Sequence, residues 1–159
     1  AQVITTASTA DKLALSKSLG SDHTINYTTD DFEAQIQDIT EGKGVHLILE
    51  CVGGNVLEKS VKCVAPYGQL ISYGNASGIT ANIPSTDFTS DNRRITGFSM
   101  GRSPAGSLDH VAAMSELTPM IASGSLKLIV DQIQPMSQVA VAHEHLSNRG
   151  SRGKVILVP

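Results

Sequence analysis

The sequence has no tryptophan, three phenylalanines, three tyrosines and only two cysteines. So few aromatics leave single-stranded nucleic-acid binding without its usual stacking platforms. Charged residues make up 17% of the chain and the formal net charge is −3, so no basic surface for nucleic acid or anionic membrane is expected. No apolar run approaches the length that crosses a bilayer. Cys51 and Cys63 stand far apart, with no CxxC pair and no histidine at zinc-finger spacing. They read as two buried free thiols in a reducing compartment, which makes the cytoplasm the expected setting. No low-complexity tract or short tandem repeat is visible either. What remains, 159 residues at 40% hydrophobic content, fits one domain able to bury a core.

One rhythm then repeats along the chain. "QVITT" (2–6) reads as a short strand, followed by a helix through "TADKLALSKSL" that stops at Gly20. "HTINY" (23–27) is a second strand, with Thr28 or Thr29 expected to cap the next helix. In that helix Phe32, Ile36 and Ile39 form one apolar stripe. "VHLILECV" (45–52) is the strongest strand, apolar enough for a sheet covered on both faces. "NVLEKSVKCVA" repeats the helical stripe with Leu57, Val61 and Val64, and "QLISYG" (69–74) is a fourth strand. Strand–helix alternation at this spacing predicts an α/β fold of parallel β-α-β units, a doubly wound sheet rather than a sandwich or bundle. Beyond Gly74 come a polar loop, a strand in "RRITGFSM" and a helix near 107–123 ended by Gly124. Two short strands in "LKLIV" and "QIQPM" follow, then an amphipathic helix in "SQVAVAHEHLSN" and a closing strand in "KVILVP".

In such sheets a ligand binds beyond the carboxyl ends of the strands. After the first strand stand Thr5, Thr6, Ser8 and Thr9, then Lys12, with no carboxylate before Asp11. A fold that binds NAD usually places an acid there for the ribose hydroxyls. Hydroxyls and a lysine suit a 2′-phosphate instead, and Tyr27 could add its hydroxyl at the same edge. The bland alternative makes Ser8 or Thr9 a helix cap and Lys12 a solvated side chain. At the third strand end, "ECVGG" offers Gly53 and Gly54 for a tight turn and close backbone approach. At the fourth, "SYGNASG" offers Gly74 beside a flat ring and Asn75 for a carboxamide, or else a plain Gly-Asn turn. His46 reads as a surface or packing residue. His143 and His145 fall on different helix faces, and His23 and His110 have no evident partner, so no metal is assigned.

Four stretches, "STADKLALSKSLGSDHTINY", "GKGVHLILECVGG", "APYGQLISYGNASG" and "AHEHLSNRGSRGKVILVP", together resemble the medium-chain dehydrogenase/reductase superfamily. The match is best to its zinc-independent quinone oxidoreductase branch, of which zeta-crystallin is the type. That resemblance implies a Rossmann-like domain binding NADPH, with Ser8, Lys12 and Tyr27 on the adenosine 2′-phosphate. It places Val52 and Gly53 on the adenosine side, and Gly74 and Asn75 at the nicotinamide end. Gly97, Phe98 and the stretch from Arg152 to Lys154 are weaker candidates. Glu50 stands where the family often has Asp, and keeps the charge.

The resemblance further implies that the first Rossmann strand and its glycine-rich turn are not in this sequence. Strands two and three should then lie on one side of a gap and the remaining strands on the other. Residues 1–130 would be a partial dinucleotide-binding domain, and 131–159 a segment returning toward a GroES-like catalytic domain. No catalytic residue is assigned within the chain, and the chain alone is expected to be inactive. The implied reaction is hydride transfer from NADPH to a quinone or enone, with a homodimer formed through a sheet-edge strand near 94–100. An enoyl-thioester reductase or zinc alcohol dehydrogenase shares this cofactor half. A non-catalytic dimerisation or nucleotide-binding module is the alternative of another class.

Overall fold

The computed structural model describes residues 1–99 and 110–159, which fall into two compact units, Ala1–Pro104 and Ala105–Pro159. The first unit is the alternating α/β array. Its elements are β1 (Ile4–Ala7), α1 (Ala10–Ser18), β2 (His23–Asn26), α2 (Phe32–Ile39), β3 (Val45–Glu50), α3 (Gly54–Lys62), β4 (Val64–Ser72), the single turn α4 (Thr86–Thr89) and β5 (Arg94–Gly97). Every ladder is parallel, as β-α-β crossovers require.

Those ladders form two separate sheets, β1-β2 and β3-β4-β5. Between them runs a cleft of about 1050 Å³, lined by residues 1–6 on one side and 45–52 on the other. The expected gap is therefore present.

Local chemistry explains most element ends. Thr9 caps α1, its hydroxyl accepting from the Lys12 N–H at 3.4 Å, and Gly20 at φ 110° closes it. The expected cap of α2 by Thr28 or Thr29 is not formed. Asp31 stands at that position without a side-chain capping bond, its carboxylate accepting instead from Lys59 Nζ at 3.3 Å. The threonines instead belong to a turn in which Thr28 N–H donates to Asn26 Oδ1 at 3.0 Å and Asn26 N–H donates to Asp30 Oδ2 at 3.3 Å. Asn and Asp side chains close such turns with their own backbone, which delays the helix start.

The stripe assigned to the third helix also needs correction. α3 ends at Lys62, and Val64 begins β4. Pro66 disfavours helical backbone at the residue before it and provides no N–H, so the chain has already turned extended. The strand runs unbroken from Val64 to Ser72, with Tyr67 at φ 60° where the pairing slips register. Val64 still meets Val61, now across a helix–strand junction: Val61, Val64 and Leu70 are at most 1% exposed and form one cluster. Ile25, Phe32, Ile36 and Cys63 form the other, with Ile39 packed against it. Both faces of β3 were expected to be covered, but Leu47 is 53% and Leu49 is 64% exposed. Only Ile48, on the opposite pleat, packs against both core clusters.

The second unit holds α5 (His110–Ala122), β6 (Val130–Pro135), a short 3₁₀ turn over Met136–Gln138, α6 (Val139–Ser147) and β7 (Lys154–Val158). β6 and β7 pair in parallel. Residues 107–109 of the expected helix and Met100 of the expected strand lie outside the described residues. The two strands expected in 126–136 are one. Leu126 N–H bonds back to the Met120 carbonyl at 3.0 Å, holding the chain against the end of α5 and leaving only Val130–Pro135 to pair.

Candidate functional site

The carboxyl ends of β3 and β4 meet through a dense set of backbone bonds. Glu50, the last residue of β3, is 4% exposed and turns its carboxylate onto the start of α3. Oε1 accepts from Val52 N–H at 2.6 Å and from Gly53 N–H at 2.9 Å. Oε2 is buried with no hydrogen-bond partner. Gly54 N–H donates to the Ile79 carbonyl at 3.0 Å. A helix N-terminus ordinarily attracts anions through such orphan N–H groups. Here Glu50 and the Ile79 carbonyl already occupy them, so the chain supplies its own anion. Sequence reasoning missed this role for Glu50. The available signal was an acid three residues before a Gly-Gly pair at a strand end.

Gly53 is the residue that lets the two loops close. Its φ is 79°, and a Cβ there would collide with Asn75 Oδ1 and lie 3.3 Å from the Ile79 carbonyl oxygen. The loop after β4 is stitched to the loop after β3 by Ala76 N–H to the Cys51 carbonyl at 2.9 Å and Ser77 N–H to the Val52 carbonyl at 2.8 Å. Asn75 Oδ1 also accepts from the Ser77 hydroxyl at 3.1 Å. Gly53, Gly74 and Asn75 thus line one cavity of about 290 Å³ with Ser72, Ile79 and Ile83. Val52 lines the large cleft instead. Beside it the Tyr73 hydroxyl bonds the Cys51 thiol, and that bond, with burial and the nearby acidic groups, raises its pKa to about 12. Cys51 is half-buried rather than buried as expected. Cys63 is fully buried, and desolvation pushes its thiol up to about 12.

Ser8 follows β1, Lys12 lies in the first turn of α1 and Tyr27 follows β2, and none of the three lines either cavity. Tyr27 N–H donates to the Ala7 carbonyl at 3.2 Å, and the Thr28 hydroxyl reaches the Ser8 carbonyl at 3.5 Å. Ser8 and Lys12 are half-buried, and Tyr27 packs against the Phe32 cluster. The structure therefore brings Gly53, Gly74 and Asn75 to one cavity and Val52 to the other. Of the weaker ones, Gly97 and Phe98 are exposed at the end of β5, and Arg152 stands near β6.

In the second unit His145 Nε2 lies 2.7 Å from Asp131 Oδ2, and Arg152 Nε lies 3.9 Å from Oδ1. Among the described residues no three His, Cys, Asp or Glu side chains converge, so those residues provide no zinc ligand set. The His145 hydrogen bond holds the Asp131 carboxyl below its ordinary value of 3.8; burial opposes this, and Arg152 adds its backbone N–H and its charge. A carboxylate whose pKa falls on folding stabilises above its unfolded pKa, and that contribution is lost as pH drops through the folded one. Denaturant midpoints followed from pH 7 to below pH 4 should fall on the acid side. Asp131→Asn should flatten that limb; an unchanged slope refutes the linkage.

Residues 19–157 match the family described as zinc-binding dehydrogenase. The chain is 32% identical over 166 residues to a 2-haloacrylate reductase from Burkholderia, covering 100% of this chain and 48% of the relative. It is 30% identical over 165 residues to quinone oxidoreductase 1 of Escherichia coli K12, covering 100% and 50%. The crystal structure of Escherichia coli quinone oxidoreductase complexed with NADPH superposes with a TM-score of 0.89 at 29% identity, over 99% of this chain and 49% of that one. The chain spans about half the length of the relatives it matches.

Proposed function

The chain belongs to the zinc-binding dehydrogenase family, in the quinone oxidoreductase branch of the medium-chain dehydrogenases/reductases, and from there we propose that it is the NADPH-binding part of a reductase acting on small quinones or enones. The observation that carries this reading is the convergence of Gly53, Gly74 and Asn75 on one cavity at the carboxyl ends of two parallel strands. Bound NADPH supplies the hydride. The work of these residues is placement: Gly74 leaves room for a flat ring, and the Asn75 amide offers donors to a carboxamide. Ser8 and Lys12, with Tyr27 beside them, supply the hydroxyl and cationic partners that a 2′-phosphate needs. Val52 and Gly53 border the adenosine side. A cytoplasmic setting suits the free thiols of Cys51 and Cys63.

Isothermal titration of NADPH and NADH into the chain tests the reading. Lys12→Ala should weaken NADPH about tenfold, roughly 1.4 kcal/mol, while NADH stays within about twofold. Equal losses for both cofactors, or no NADPH binding by the parent chain, sink it.

A homodimer through β5 belongs to the same proposal. All four residues of Arg94–Gly97 are exposed, and β5 is an outer strand of its sheet. Phe98 N–H donates to the Ser72 carbonyl of β4, so at the same alternation Ile95 N–H faces outward, and Ile95→Pro removes an edge donor. Sedimentation should show a dimer for the parent chain and a monomer for the variant; a parent monomer refutes it.

A further inference from the structure

A side-chain amide carries an oxygen on one branch and an NH2 on the other, almost identical in size. Asn75 can therefore meet a ligand with an acceptor or with two donors, depending on which branch is turned outward. In this chain a neighbour fixes the choice. The Ser77 oxygen accepts from the Ile79 N–H at 3.1 Å, and its hydroxyl proton donates to Asn75 Oδ1 at 3.1 Å. Oδ1 also lies against Gly53, in the space that a Cβ there would fill. Ser77 is itself held in place. Its N–H donates to the Val52 carbonyl at 2.8 Å, and the Gly78 N–H closes the turn onto the Asn75 carbonyl at 3.0 Å. With the oxygen engaged on that side, the Asn75 NH2 is the branch left for the cavity, and no described residue accepts from it. Ser77 does not line that cavity, so whatever it does there it does through Asn75.

We propose that Ser77 is a positioning residue that sets the polarity of Asn75, so that the site reads the carboxamide oxygen of a bound nicotinamide and not its NH2. This rests on the cofactor reading given above and adds a direction to it, with the protein donating and the cofactor accepting. An Asn75 free to turn over would offer its oxygen as readily as its NH2, and ordering it would be charged against cofactor binding. Ser77 makes that choice before the cofactor arrives. Its hydroxyl is what the task requires, because alanine leaves Oδ1 without this donor and the Ile79 N–H without this acceptor. Threonine keeps both bonds.

Three ligands titrated into the whole chain test this. They are NADPH, 2′-phospho-ADP-ribose as the same cofactor without its nicotinamide, and the reduced acetylpyridine analogue of NADPH, whose acetyl group keeps the carbonyl and lacks the NH2. The parent chain should bind NADPH more tightly than the nicotinamide-free fragment. It should bind the acetylpyridine analogue within about twofold of NADPH, because only the oxygen is read. Ser77→Ala should weaken NADPH about fivefold and leave the fragment unchanged, and Ser77→Thr should restore NADPH. In nitrogen-labelled chain the Asn75 side-chain NH2 resonances should shift with NADPH but not with the fragment, and Ser77→Ala should lose that response. Equal weakening of NADPH and fragment by Ser77→Ala makes Ser77 a loop support only and overturns the proposal. So does an unchanged NADPH affinity in that variant, or a parent chain that binds the analogue more than about fivefold worse than NADPH. The analogue arm needs no variant, so the polarity stays testable if Ser77→Ala misfolds. A parent chain that binds the fragment as tightly as NADPH leaves the cofactor reading standing and refutes the role of Ser77. A parent chain that binds neither refutes the cofactor reading itself, and this proposal with it.

Discussion

Leu70→Ala should destabilise the first unit by about 3 kcal/mol, within the roughly 2–5 kcal/mol that buried leucine truncations cost. Leu70 is fully buried in β4, paired with Ile48 of β3 on one side and Ile95 of β5 on the other. Beneath it lie Val61 at the end of α3 and Val64 at the start of the same strand. Removing the isobutyl group loses its transfer free energy and leaves a void bounded by a helix and two ladders, which cannot collapse without breaking backbone bonds. Ile95→Ala is the control. Ile95 is 37% exposed on an outer strand, so the same change of chemistry should cost less than about 1 kcal/mol. Urea midpoints at constant slope give both numbers. A Leu70→Ala cost below about 1 kcal/mol would show that the cluster is not the core of this unit.

Glu50→Ala should cost about 2 kcal/mol, and Glu50→Gln roughly half of that. Hydrogen bonds to a charged acceptor contribute about 1.5–3 kcal/mol, and this carboxylate takes two backbone donors at the start of α3. The unpartnered Oε2 offsets part of the gain, since a buried oxygen without a donor has given up its hydration. Alanine leaves the Val52 and Gly53 N–H groups orphaned where Gly53 is buried. Glutamine retains one acceptor but loses the charge that faces the helix dipole. A neutral Glu50→Ala would mean that water or the backbone satisfies those donors equally well, and the cap assignment would fall.

The alternating strands and helices of the first unit were legible because each was announced twice, by an apolar pattern and by a Gly or hydroxyl at its boundary. "VHLILE" followed by Gly-Gly, and the Phe32–Ile36–Ile39 stripe, are of that kind. Less legible was anything decided by groups distant in sequence. Val64 continues the helical spacing of Leu57 and Val61, yet strand pairing with Val45 and the proline two residues on take it out of the helix. Thr28 and Thr29 have the chemistry of a cap, but Asn26 and Asp30 bind the same backbone first. At the site, glycines flagged positions where backbone had to come close. They could not say that the approaching group would be Asn75 and the Ile79 carbonyl. The Glu50 carboxylate was read only as keeping the charge of the family's Asp, because its partners sit around a turn whose shape depends on Gly53 at φ 79°. Exposure of Leu47 and Leu49 escaped the pattern entirely, since an apolar run reports what a strand could bury and not what lies opposite it.

Cys63 gives the molecule a clock. Its thiol is fully enclosed and held at a pKa of about 12, donating to the Lys59 carbonyl at 3.4 Å, whereas Cys51 is only half-buried beside Tyr73. The thiolate is the form that reacts with electrophiles, and Cys63 has almost none of it while the core is closed. An alkylating reagent at neutral pH therefore counts two different things in one chain. Cys51 records access to the loops at the strand ends, and Cys63 is marked only when the α3–β4 junction opens.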